Sequence, residues 1–133
     1  MKILSVFGTR PEAIKLGPIV RELKHRAQDR DVSSIVCVTA QHREMLDEVL
    51  DLFDIVPHYD LNIMQRDQSL CRVSSAVFSL LEPVLLAERP DWLLVQGDTT
   101  TVAAASLAGF YCGIKVAHVE AGLRSHNRRM PEE

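Results

Sequence analysis

Apolar positions along the chain fall into two rhythms. Short, nearly continuous apolar runs stand at KILSVF (2–7), SIVCVT (34–39), DWLLVQ (91–96) and KVAHV (115–119), with a weaker one at HYDL (58–61). Between them, apolar residues recur at three and four spacing: PIVRELKHRA from Pro18, HREMLDEVLDLF from His42, QSLCRVSSAVFSLLEPVLLAE from Gln68 and TTVAAASLAGFY from Thr100. Strands that are apolar on both faces, alternating with helices, predict a doubly wound parallel α/β sheet. With right-handed crossovers and the order 3-2-1-4-5, the first and fourth strands become neighbours at the point where strand order reverses.

Prolines punctuate the first helical stretch. Pro11 suits a first helical position, and Pro18, seven residues on, predicts a break or kink near Gly17. The final run, RSHNRRMPEE, is polar and follows a strand that should feed another helix. The expectation is a piece of a longer protein, in which residues 1–133 are one domain.

Composition narrows the function classes. The chain has 133 residues, room for one domain that buries roughly two thirds of its unfolded surface. Charged residues make up 25% with a net charge of −3, so no basic stripe favours nucleic acid. The N-terminal apolar run is too short for a signal peptide, and no stretch reads as a spanning helix of about 20 apolar residues. No membrane partner and a cytoplasmic location are expected. Cys37, Cys71 and Cys112 are far apart and odd in number, and form neither a CxxC pair nor a metal-ligand cluster. They read as ordinary small apolar residues.

Three loops fall at the carboxyl ends of predicted strands, where open parallel sheets bind ligands: GTRPE after the first, GDTTT after the fourth and EAGLRS after the fifth. Arg10, Asp98 and Glu120 would converge there. Gly8 allows close backbone approach, and helix-start N–H groups reinforced by Arg10 and Lys15 suit a phosphate; the other reading is a structural strand-to-helix turn. Glu12 reads as a charge complementing the helix N-terminus rather than a catalyst. Asp98 has two readings, a cap for the helix that follows or a site residue. Glu120, directly after VAHV, would carry a desolvation cost that raises its pKa unless paired, which suits acid/base work. His118 reads as a hydrogen-bonded core histidine rather than a ligand.

Taken together, FGTRPEAIK, VTAQHREML, YDLNIMQ, GDTTT, HVEAGLRS and PEE, in this order, resemble the bacterial non-hydrolysing UDP-N-acetylglucosamine 2-epimerases. The resemblance implies a Rossmann-like lobe, the first of two in a glycosyltransferase B type fold, with the active site between lobes. It implies interconversion of UDP-N-acetylglucosamine and UDP-N-acetylmannosamine, by eliminating UDP and adding it back, with neither a nicotinamide cofactor nor an essential metal. By position it marks Asp98, Glu120 and Glu132 as catalytic candidates, without assigning the carboxylate that acts at C2. Arg10 and Lys15 are marked for the diphosphate.

The same resemblance places a catalytic histidine and most of the uridine pocket in the other lobe, so the 133-residue chain alone is expected to be inactive. It implies a homodimer for the full-length protein. Gln41, His42 and Gln68 match an allosteric site for a second substrate molecule, whereas Glu44 and Asp67 stand where activated members often carry glutamine and arginine. Gln96 replaces the usual histidine before GDTT, a change that would adjust the setting of Asp98. Rival readings are a hydrolysing relative that releases UDP and N-acetylmannosamine, a non-catalytic nucleotide- or partner-binding lobe, and a glycosyltransferase lobe.

Overall fold

The computed structural model describes residues 1–29, 32–40, 43–63, 65, 67–130 and 133. Five strands, β1 (Lys2–Phe7), β2 (Ser33–Val38), β3 (Tyr59–Asp60), β4 (Trp92–Gln96) and β5 (Lys115–Val119), form one parallel sheet in the order β3-β2-β1-β4-β5. The expected order is the observed one. The crossovers are α1 (Arg10–Asp29), α2 (Arg43–Leu52), α3 (Leu70–Glu88) and α4 (Thr100–Tyr111).

Strand side chains alternate between two cores because successive residues point to opposite faces. On one face Leu4, Val6, Ile35, Cys37, Leu93 and Val95 pack under α3 and α4, meeting Val77, Leu81, Leu85 and Ala105. On the other, Phe7, Val36, Val38 and Leu94 meet Ala13, Leu16 and Val20 of α1 and Leu46, Val49 and Leu50 of α2. Each such aliphatic side chain contributes about 1.5–3 kcal/mol on burial, which is why the strands read as apolar runs rather than alternating ones.

Three expectations are corrected. Helix α1 runs unbroken through Pro18. A proline there frees the carbonyl of Ile14, and since both Pro18 and Ile14 are exposed, water can take the lost donor's place. Gly17 serves a different purpose: a Cβ at that position would stand 2.5 Å from the Phe53 ring, so the glycine admits close packing beside α2. Second, α3 is long and apolar enough, with a mean hydropathy of 1.6, to cross a membrane by length and composition alone. Its buried residues Val73, Val77, Leu81, Val84 and Leu85 recur at three and four spacing on one side. That is the stripe of a helix laid on a sheet. Third, the cysteines differ among themselves: Cys37 is buried, Cys112 half-buried and Cys71 exposed.

Candidate functional site

Parallel strands bring the ends of β1, β4 and β5 to one edge of the sheet. The switch in order between β1 and β4 opens a gap there, and the loops after the three strands border it. Helix α1 starts at Arg10, one residue beyond the short turn of Gly8 and Thr9, so Arg10 is exposed on this edge. Five residues further along α1, Lys15 forms an ion pair with Glu120, joining residues 105 positions apart.

Glu120 occupies the left-handed region, φ 60°, immediately after β5. A non-glycine residue held there turns its side chain sharply away from the strand direction, and the ion pair and a hydrogen bond hold it. That bond comes from Gln96, whose amide Nε2 donates to Glu120 Oε2 at 2.5 Å. Gln96 is buried at the end of β4, and its Oε1 has no hydrogen-bond partner among the described residues. The expectation that Glu120 is desolvated is corrected: its side chain is 37% exposed, at the end of β5, the edge strand of the sheet. Pairing, not burial, governs its surroundings. Gln96, expected to adjust the setting of Asp98, is hydrogen-bonded to Glu120.

The β4–α4 loop corrects the cap reading of Asp98. The helix cap is Thr99, whose hydroxyl accepts the Val102 N–H at 3.3 Å. Asp98 is exposed and lines an open cavity of about 310 Å³ together with Glu120, His118, Arg124 and Glu133. His118 is hydrogen-bonded as expected, Nε2 donating to the Gly97 carbonyl at 2.6 Å, but it is exposed on the edge strand rather than in the core. Gly97 itself is at φ 90°, a turn that no L side chain enters without strain.

The β1–α1 loop departs from the phosphate reading in its backbone. Glu12 is 2% exposed, and its Oε2 accepts the Gly8 and Thr9 N–H groups at 2.7 and 3.0 Å. Those two donors are therefore satisfied from within, which leaves the side chains of Arg10 and Lys15 as the cations of this loop and helix. Glu12 does complement the helix start as expected. The sequence did not show that its other oxygen, Oε1, accepts the Thr99 hydroxyl at 2.7 Å.

The remaining candidates lie apart or outside the described residues. Glu132, Gln41 and His42 fall outside them. The adjacent Glu133 accepts from the Ser125 hydroxyl and from the Ser125 and His126 N–H groups, and these bonds, the hydroxyl foremost, hold its carboxyl below the usual range. Gln68 uses one donor on the Ile63 carbonyl and one acceptor on the Gln65 N–H, within its own loop. Arg124 was quoted in EAGLRS without a role; its place on the cavity adds a cation there. A second cavity, of about 350 Å³, lies beside Val20, Ser34 and Phe53, away from this edge.

Known proteins are similar to this chain in sequence and fold. The family profile described as UDP-N-acetylglucosamine 2-epimerase matches residues 24–133. UDP-N-acetylglucosamine 2-epimerase of Escherichia coli K12 is 56% identical over 131 residues, covering 98% of this chain and 34% of that protein. The crystal structure of the Neisseria meningitidis UDP-GlcNAc 2-epimerase bound to UDP-GlcNAc superposes with a TM-score of 0.87 at 56% identity, over 96% of this chain and 33% of that one. The Methanocaldococcus jannaschii enzyme in complex with UDP-GlcNAc and UDP gives 0.90 at 40% identity, over 100% of this chain and 36% of that one. The chain spans about a third of the length of the curated relatives it matches.

Proposed function

The chain belongs to the UDP-N-acetylglucosamine 2-epimerase family, and from that premise we propose that the full-length protein carrying it interconverts UDP-N-acetylglucosamine and UDP-N-acetylmannosamine. The C2 proton and the UDP on C1 leave the sugar, giving a 2-acetamidoglucal. UDP then returns to C1 while a proton reaches C2 from the opposite face, so no atom or electron is gained or lost overall.

One observation carries the reading: Lys15 holds Glu120 across the sheet edge, above a cavity that also takes in Asp98. Elimination needs a cation where the diphosphate departs and carboxylates where protons move. Lys15 and Arg10 supply the first, and Asp98, Glu120 and Glu132 the second. A diphosphate that draws on Lys15 also loosens its hold on Glu120, so binding the leaving group and freeing a carboxylate become one event.

Residues 1–133 are the N-terminal lobe in this proposal, and a second lobe closes the cavity and completes the nucleotide pocket. The 133-residue chain alone then binds UDP weakly and turns over nothing, because its site is an open edge. The full-length protein is a homodimer and needs no nicotinamide. The test is direct: full-length protein at saturating UDP-N-acetylglucosamine yields UDP-N-acetylmannosamine, and absence of that product overturns the proposal. Free UDP accumulating with turnover would identify the hydrolysing reaction instead.

A further inference from the structure

We propose that Glu12 is a positioning residue that locks the β1–α1 loop to the β4–α4 loop, and that the lock aligns Arg10 and Lys15 on the first with Asp98 on the second. The inference rests on the functional reading above, since it supposes that these groups act on one substrate.

A carboxylate buried to 2% is costly unless it is fully hydrogen-bonded. Glu12 meets that condition only by drawing on both loops. Two bonds come from Gly8 and Thr9, its own loop, and the third from Thr99, 87 positions away. All are charge-assisted and short, the kind that fixes geometry. Gly97 adds contact from the second loop: a Cβ there would meet Glu12 Cγ at 3.8 Å, so the side chain lies against the turn that carries Asp98.

Thr99 serves two partners with one hydroxyl. Its proton goes to Glu12 and its oxygen receives the Val102 N–H that starts α4. The start of α4 and the start of α1 are thereby tied through a single oxygen. The tie crosses the gap between β1 and β4, which the strand ladder closes only lower down, at Ile3 to Ser5. At the level of the reacting groups, the Glu12 bridge sets the spacing of the two loops. Arg10 and Lys15 stand on one side of it and Asp98 on the other, so a broken bridge misaligns them while leaving each loop's own residues in place.

Because the hydroxyl has two jobs, substitution can separate them. In the full-length protein, Thr99→Ser keeps both the cap and the bridge. Thr99→Asp keeps an acceptor for Val102 but offers Glu12 no proton. The expected result for Thr99→Asp is a kcat lower by about 10²-fold, the scale of a 1 Å misplacement. The KM for UDP-N-acetylglucosamine stays near wild type, because the diphosphate cations Arg10 and Lys15 keep their spacing to each other on α1 and only their distance from Asp98 changes. Thr99→Ser stays near wild type in both constants. Amide hydrogen exchange supplies a readout independent of turnover: the Gly8 and Thr9 N–H groups exchange faster in Thr99→Asp, although the substitution lies in the other loop.

Thr99→Asp that folds with wild-type kcat and unchanged exchange overturns the proposal, and so does an equal loss in Thr99→Ser. If Thr99→Asp does not fold, Thr99→Val, isosteric and uncharged, takes its place; because it also removes the Val102 cap, the readout is then exchange in the other loop, where faster exchange at Gly8 and Thr9 is expected and unchanged exchange overturns the proposal. If the unsubstituted full-length protein makes no product, the functional reading falls, and exchange at Gly8 and Thr9 still decides whether the bridge exists.

Discussion

Replacing Glu120 by glutamine separates a catalyst from a structural ion pair, because the structure assigns the two roles very different magnitudes. Side chains of Lys15 and Glu120 are 45% and 37% exposed, and a pair so open to water contributes about 0–1 kcal/mol to stability. Glutamine retains an acceptor for Gln96 Nε2, so that bond survives the change. Thermal unfolding of Glu120→Gln should therefore move by no more than about 5 °C. A properly placed acid/base group is worth about 10² to 10⁴ in rate, or about 3–5 kcal/mol of transition-state stabilisation. Rate and stability thus diverge by several kcal/mol if Glu120 acts on the substrate.

Asp98→Asn extends the test. Asp98 is exposed and Thr99 makes the helix cap, so the amide should leave stability within about 0.5 kcal/mol of wild type. The assay is kcat for UDP-N-acetylmannosamine formation by the full-length protein, set beside calorimetric unfolding of the same samples. Turnover of Glu120→Gln close to wild type would refute the reasoning. A rate that falls only in proportion to the folded fraction would refute it equally.

Other expectations follow from the packing. Leu81→Ala removes a side chain with no exposed surface between α3 and the sheet, and should cost about 2–5 kcal/mol in urea unfolding. Gly109→Ala places a Cβ 2.7 Å from buried Leu93 Cδ2; overpacking of about 1–3 kcal/mol outweighs the roughly 1 kcal/mol gain in helix propensity, so the midpoint of denaturation should fall. Burial, and to a lesser degree the charge of Asp60, push the Cys37 thiol up to about 12 from 9.0. The folded state therefore holds this proton where the unfolded chain has lost it, and stability should decline from pH 9 towards 12. In native protein at pH 8 an alkylating reagent should label exposed Cys71 and spare Cys37, as peptide mass mapping would show.

Legibility in the sequence tracked whether a feature is local. The bounds of β1, β5 and α4 are readable because apolar runs and helical spacing act over a few neighbours, whereas the cap of α4, expected at Asp98, is Thr99. Of the break or kink expected near Gly17, the break does not form, since a proline's cost depends on whether water reaches the freed carbonyl, and that is a matter of which side faces out. The apolar length of α3 was not recognised as long enough to span a membrane; its arrangement in a single buried stripe became plain once the sheet lay beneath it.

The site divides along the same line. GTRPE, GDTTT and EAGLRS stand at the ends of their strands by sequence alone, and parallel connection through helices obliges those ends to share an edge, so Arg10, Asp98 and Glu120 could be grouped in advance. Which group touches which was decided only by the tertiary structure. Lys15 with Glu120, Gln96 with Glu120, and Glu12 with Thr99 are pairs separated by 105, 24 and 87 positions. No local pattern encodes such partners, because a hydrogen bond forms wherever packing sets a donor against an acceptor. The chemistry available to this chain is written in its residue types, and the selection among those chemistries is made by the spacing of β1 and β4.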